Sequence, residues 1–427
     1  MNKTTRRDFL KATAVASLAT GIPAVSEATT GLDNKRVIVI GGGFAGATAA
    51  KYLRRWSDAE VILIEPNAAY HSCILSNLVL TGDRSLDAVT FNYDNLQSRY
   101  GITVLEDSVA RVDSANLQVF LASDTLEATP LSYDKLVLAP GVAFKFPNWA
   151  VDFDTIPHAW KAGPQIAMLK NEIDGLQDND LLVIKVPKGA FRCPPGPYER
   201  TCAIADYLNK RGVSVNIKLV DPNDTLSGQN VIANVFIDQF GPGNRYPNVE
   251  YLGGVDISDI DVNKRVTLSN SDVLNADAVN YIPDQQAPQI VRSTLHPAGT
   301  QEWASVNPLT YASTSVEVTN AEHIHVIGDS QATAQPKAGH IANAEAKVCA
   351  DAIIRGFLGM SPYPNPMTNS ACFTPVNHNE ASWISAVYRY DGASIVTEKV
   401  GNSPRATREN HDLMFSWANN LFDDTFG

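Results

Sequence analysis

The run Val37–Ile40 is apolar at every position and stops at a cluster of glycines. Such a run, four residues long and bounded by turn residues, suits a strand buried on both faces. An Ala-rich stretch from Phe44 to Leu53 reads as a helix, and a second apolar run, Val61–Ile64, ends on Glu65. Short strands are predicted at Val104 and at Val109–Val112. Two more lie within Tyr133–Gly141 and at His323–Ile327, the last running into Gly328 and Asp329. A related series begins in the middle of the chain. It has a strand within Asp180–Pro187, a helix over Tyr198–Arg211, and a strand, Val213–Val220, ending at Asp221. Strands alternating with helices predict parallel sheets, so the expected class is α/β with two Rossmann-like units. We assign 33–146 with 273–361 to the first unit and 147–272 to the second. Residues 362–427, which open with Pro362, Pro364 and Pro366, form a third domain of α+β type. That third part closes on an apolar stripe at helical spacing, Leu413–Phe422. A core helix, a flap or subunit contact, and a membrane foot all fit the stripe. Asp423 and Asp424 argue against the foot.

The glycines change the picture from fold to chemistry. Gly41, Gly43 and Gly46 form GxGxxG between a predicted strand and a predicted helix, and Glu65 follows at the end of the next strand. That is the context of a dinucleotide fingerprint. Gly41 serves the tight turn, Gly43 the approach of a pyrophosphate, and Gly46 close packing of the helix. The helix N-terminus faces the phosphates and Glu65 accepts from ribose hydroxyls. In the second unit the corresponding turn reads Pro187 to Pro197, with no fingerprint. Its prolines lack the N–H groups a pyrophosphate would use. We therefore expect that unit to keep the fold without a nicotinamide site. In two-domain flavoproteins, a Gly-Asp pair after a late apolar strand sets its acid against the ribityl chain of FAD. Gly328 and Asp329 match that pattern and select FAD over NAD.

Charge and cysteines narrow the setting. Thr4–Lys11 carries Arg6 and Arg7 in the form of a twin-arginine export signal. An apolar run and a small-residue cleavage site at Ser26, Glu27 and Ala28 follow. The signal predicts a periplasmic protein exported already folded. Its run, Ala12–Val25, is too short to span a membrane. Without residues 1–28 the chain has 30 basic and 44 acidic residues, a net charge of −14. That balance argues against nucleic acid and permits steering towards a positively charged protein. The five cysteines are Cys73, Cys193, Cys202, Cys349 and Cys372, and their spacings match no zinc site. No CxxCH haem motif is present.

Five stretches carry a resemblance: the Gly41–Gly46 turn, Tyr70–Cys73, Phe191–Glu199, Gly328 with Asp329, and Ala371–Phe373. Of these the Cys-Pro-Pro-Gly-Pro-Tyr-Glu sequence at Cys193–Glu199 is the most specific. Together they resemble the flavoprotein subunits of flavocytochrome c sulfide dehydrogenases and, more distantly, sulfide:quinone oxidoreductases, over essentially the whole chain after residue 28. The resemblance implies a glutathione-reductase-like fold with FAD joined covalently to Cys73. It also implies a redox-active disulfide between Cys193 and Cys372, oxidation of sulfide to sulfur or polysulfide, and a c-type cytochrome subunit as electron acceptor. The alternative is a quinone acceptor. A reductase linked to NAD(P)H and a flavoprotein kept only for docking are weaker readings.

Within that frame Glu199, on the first turn after Cys193, is the candidate acid/base, against a plain role at a helix N-terminus. The helix start is expected to lower the pKa of a nearby thiol. Trp417 is the candidate flap over the cysteine pair, against an ordinary core aromatic. His71 beside Cys73 either assists flavin attachment or merely packs. Lys337 either lies near the pyrimidine end of the flavin or is solvated. Cys202 and Cys349 read as packed thiols.

Overall fold

The computed structural model describes residues 30–123, 129–149, 152–223, 233–299 and 301–427. The export signal expected over 1–28 lies outside them. Five parallel strands make the first sheet, in the order Ile324–Val326, Lys135–Leu138, Arg36–Ile40, Glu60–Ile64, Thr103–Leu105. Its central strand explains the unbroken apolar run. Val37 and Val39 belong to one hydrophobic cluster, with the helix Phe44–Trp56, while Ile38 and Ile40 belong to another, with Leu136, Leu138 and Val291. Both faces are covered, so no position alternates to polar. The helices Phe44–Trp56 and Gly339–Phe357 pack together on the first of these faces.

Four parallel strands make the second sheet, in the order Val249–Gly253, Asn216–Asp221, Leu181–Lys185, Ala278–Tyr281. The last of these corrects a boundary. A return to the first unit at residue 273 would separate Ala278–Tyr281 from its partner, yet Leu182–Lys185 pairs with it residue for residue. The chain crosses back after Tyr281. Both crossings then lie side by side, because Ala143–Lys145 pairs antiparallel with Asp284–Gln286.

The third part is a three-stranded antiparallel sheet, Met367–Asn377, Glu380–Tyr390 and Ile395–Asn402, followed by the helix Arg408–Phe426. Thr407 caps that helix, its hydroxyl accepting from Asn410 N at 3.1 Å. The helix folds back onto the first unit and is a core helix. Phe426 stacks on Phe91 at 5.0 Å and on Tyr70 at 5.4 Å, and Phe422 stacks on Phe44 at 6.1 Å. Asp424, which argued against a membrane foot, is half-buried and tied to the first unit. It accepts from Tyr52 Oη at 2.6 Å and Asn343 Nδ2 at 2.9 Å, and pairs with Lys347 at 2.7 Å. No helix among the described residues is long and apolar enough to cross a membrane.

Candidate active site

The first strand ends in the glycine turn, whose geometry allows no side chains at two of its positions. Gly41 has φ +99°, and a Cβ there would lie 2.5 Å from the carbonyl oxygen of Ala139. A Cβ on Gly46 would lie 1.8 Å from the oxygen of Gly41, so the helix approaches the turn as closely as backbone permits. At Gly43 the Tyr70 ring is already 3.3 Å from where a Cβ would sit. Glu65 stands where the second strand ends. Its Oε2 accepts from Gly42 N at 2.8 Å and its Oε1 from Asn67 Nδ2 at 2.5 Å.

Gly328, at φ +70°, donates its N–H to Glu345 Oε2 at 2.7 Å. Asp329 beside it is buried, which pushes its carboxyl up, while Arg192 and Lys337 pull it down. Lys337 is not solvated. Its Nζ donates to the carbonyls of Asp329 and Gln331, both at 2.8 Å, and lies 3.7 Å from the centre of the Trp303 ring. Burial draws its pKa down to about 8. These parts fit FAD: a turn stripped of Cβ atoms, a helix start behind it, an acid at the ribose position, and a second acid, Asp329, held between two cations.

Cys193 and Cys372 come from the second unit and the third part, and the fold brings their thiols into hydrogen-bond contact. The strand Met367–Asn377 carries Cys372 and packs against the helix Gly196–Arg211, which starts just after Cys193. Cys193 sits at φ +59°, with its N–H on Lys337 O at 2.7 Å. Gly196 is required by what surrounds it. A Cβ there would lie 2.6 Å from the Trp160 ring and 3.1 Å from the Cys193 sulfur. The structure holds the pair as two thiols, not as a bridge, and the other three cysteines are free as well. The helix start does not lower the Cys193 pKa. Hydrogen bonding to Cys372 and burial drive it well up, with the Glu199 charge adding to this and Arg192 opposing it. A shared proton and a dry site outweigh a helix dipole here.

A cavity opens on the pair and is lined by Cys73, Cys193, Cys372, Glu199, Trp160 and Trp417 among others. Glu199 is buried, and burial raises its pKa to about 7 against the pull of Asn77 and Arg200. Asn77 Nδ2 donates to Glu199 Oε1 at 2.7 Å, and Arg200 Nε donates to Asn77 Oδ1 at 3.0 Å. Trp417 is half-buried, its indole Nε1 donating to His340 Nδ1 at 3.2 Å. The same Nδ1 receives the N–H of Ala371, next to Cys372, at 3.0 Å. The Ala371 carbonyl oxygen lies 3.3 Å from the same Nδ1. Burial takes the His340 pKa down to about 4, so the ring is neutral.

All four predicted catalytic side chains therefore line one cavity, with Cys73 among them. Sequence reasoning gave no role to Asn77, Arg200, His340 or Trp160. None belongs to a spacing pattern, and each gains its role from a partner far along the chain. Arg192 was part of the motif but had no function. Its guanidinium interacts with Cys73, Asp329, Tyr70 and Cys193 together. His71 turns away, with Nδ1 on Thr90 Oγ1 at 2.8 Å. Cys202 and Cys349 are fully buried.

Two Rossmann-like sheets, a fingerprint turn and a cysteine pair at their junction define a flavoprotein of the disulfide oxidoreductase class. The pyridine nucleotide-disulphide oxidoreductase profile matches residues 35–162. Two more specific profiles match beyond it. The central part of the sulfide dehydrogenase [flavocytochrome c] flavoprotein chain matches 166–283, and the flavocytochrome c sulphide dehydrogenase flavin-binding part matches 364–426. A flavoprotein chain of that name from Chlorobaculum thiosulfatiphilum is 52% identical over 46 residues, which are 10% of this chain and 96% of the relative. The chain belongs to the flavoprotein family of flavocytochrome c sulfide dehydrogenases, and is thus an FAD oxidoreductase.

Other likenesses are partial. A ferredoxin reductase (designated probable) from Castellaniella defragrans is 36% identical over 112 residues, covering 25% of this chain and 26% of that one. The chain thus spans about a quarter of that relative. Among solved structures, the sulfide:quinone oxidoreductase of Aquifex aeolicus superposes with a TM-score of 0.73 at 17% identity, over 92% of this chain and 91% of that one. A NAD-dependent persulfide reductase from A. fulgidus gives 0.59 at 15% identity, over 89% and 76%. At such identities these two speak for the fold alone.

Proposed function

We propose that this protein oxidises sulfide in the periplasm through a redox-active Cys193–Cys372 pair, with FAD joined to Cys73, and passes electrons to a c-type cytochrome. The observation that carries the reading is the meeting of Cys193, Cys372, Glu199 and Cys73 around one cavity. In the oxidised pair, hydrosulfide attacks one sulfur, which becomes a persulfide while the other leaves as thiolate. Glu199, near pH 7 half-ionised, takes the proton of incoming hydrogen sulfide. A second hydrosulfide attacks the outer sulfur and leaves as hydrogen disulfide, so both cysteines are now reduced. Reclosing the Cys193–Cys372 bond releases two electrons. Bound FAD supplies the acceptor for that pair of electrons and the means to pass them on singly. Trp417, tied to His340, walls the cavity beside the cysteines.

The second unit offers little to a nicotinamide cofactor. Asp221, at its ribose position, already accepts from Tyr198 Oη at 2.5 Å, Tyr251 Oη at 2.9 Å and Asn223 Nδ2 at 2.7 Å. The periplasmic address rests on the twin-arginine motif at Thr4–Lys11. The test is anaerobic titration of the purified protein with sulfide. Bleaching of the flavin is expected, and then reoxidation by cytochrome c faster than by a soluble quinone. Preference for quinone would move the protein to the alternative, and a flavin indifferent to sulfide would end both readings.

A further inference from the structure

Tyr70 has no part in sulfide oxidation as described, yet it stands between the fingerprint turn and Cys73, which lines the cavity. The strand Ala69–His71 pairs with Thr90–Asn92, setting Tyr70 opposite Phe91. Successive strand side chains point to opposite sides. His71 therefore goes to Thr90, and Tyr70 goes to Cys73, with its phenol in hydrogen-bond contact with the thiol. The ring is clamped in place, stacked on Phe426 at 5.4 Å, edge-on to Phe44 at 5.6 Å, and lying against Gly43 of the fingerprint turn. The Arg192 guanidinium interacts with the same thiol and with Asp329. A lone buried cysteine needs none of this. Burial raises the Cys73 pKa, and the Arg192 charge and the Tyr70 hydroxyl act against that rise. A nucleophile in such a place needs both, a cation beside its sulfur and a donor on it.

We propose that Tyr70 is the catalytic residue for attachment of the flavin to Cys73, its hydroxyl holding the sulfur as thiolate while the bond to the flavin 8α-carbon forms. The inference rests on the attachment at Cys73 proposed above. One S–H and one C–H bond break and one C–S bond forms. The two electrons and two protons so released pass to the flavin ring, which ends the step reduced. No outside oxidant enters until the same cytochrome-type acceptor reoxidises it. The chain would thus need no separate attachment enzyme. His71, which its place in the sequence had suggested for this task, faces the wrong way.

The test compares the wild-type full chain with Tyr70→Phe, which keeps the stacked ring and removes only the hydroxyl. Each is given FAD, and intact mass after denaturation follows covalent attachment over time. The wild type should gain the mass of one FAD on the Cys73 peptide. Tyr70→Phe should bind FAD but attach it about tenfold more slowly or worse, the size of one hydrogen bond to a charged group. Attachment at the wild-type rate would overturn the role of Tyr70 and leave Cys73 standing. A wild type whose flavin washes off would instead remove the attachment itself. If Tyr70→Phe holds no FAD, alkylation of Cys73 in the flavin-free chain decides. A rate about tenfold below wild type supports the role, and an equal rate overturns it.

Discussion

Glu199 shows how a single residue acquires its chemistry from neighbours that its sequence position does not reveal. Its first-turn position alone would give an ordinary helix acid. Burial raises its pKa to about 7, and only the Asn77 amide and the Arg200 charge keep it from rising further. The proton-accepting form is therefore gained as pH rises through about 7. Glu199→Gln should slow flavin reduction by sulfide by about a hundredfold, the lower end of general acid–base contributions. Asn77→Leu removes a donor that favours the charged form, so the acid limb of that rate should move to higher pH. The ionisation of the substrate is the same for both proteins, so the displacement reports on Glu199 alone. Stopped-flow reduction from pH 6 to 9 makes the measurement, and coincident limbs would refute the role. Only the acid itself was legible in the sequence. Asn77 lies in a four-residue helix, Asn77–Leu80, with no motif around it.

At the scale of elements the sequence was easiest to read where structure is local. The strand Arg36–Ile40, the glycine turn and the helix Phe44–Trp56 follow directly from a doubly buried strand and from contacts of backbone with backbone. Gly46→Ala should accordingly abolish FAD binding, since its Cβ would fall 1.8 Å from Gly41 O with nothing flexible to yield. Flavin content after purification checks this, and normal content would show that the turn can relax. The C-terminal helix was legible as a helix but not in its place. It runs from Arg408 to Phe426, past the stripe ending at Phe422, because its last turn fills a cluster made by Phe44, Tyr70 and Phe91. Those partners lie more than three hundred residues earlier, and periodicity carries no information about them. Phe426→Ala should cost about 3–5 kcal/mol in urea unfolding, the usual range for a buried aromatic. A cost under about 1 kcal/mol would mean that the helix end is loosely packed.

For the whole molecule, the meeting of Cys193 with Cys372 was available from resemblance but not from spacing, because three parts of the fold must close before the two thiols touch. The crossing point after Tyr281 escaped for a similar reason, since a strand run does not say which sheet it joins. Closing those parts also buries ionisable groups of both kinds, and their balance sets how stability depends on pH. His158 and His340 are drawn from 6.5 to about 4, and His325 to about 3, all chiefly by burial. Below pH 6.5 the unfolded chain binds more protons at these sites, so their contribution is full above 6.5 and is lost as pH falls towards 4. Glu199 and Glu345 are raised from 4.5, to about 7 and about 8, again by burial. Here the native state holds the extra protons, so stability falls as pH rises from 4.5 through those values. Between 4.5 and 6.5 three histidines oppose two acids and stability rises. Above 6.5 the acids act first and it falls, until Lys337, drawn down to about 8, begins to oppose them. Each group contributes a slope of ~1.4 kcal/mol per pH unit at most. Stability should therefore peak near pH 6.5. Glu345→Gln, which keeps an acceptor for Gly328 N, should flatten the decline between pH 6.5 and 8. Urea midpoints across pH 5 to 9 measure both. A decline equally steep in Glu345→Gln would show that the buried acid at the Gly-Asp turn is already ionised, and that Lys337 holds it so.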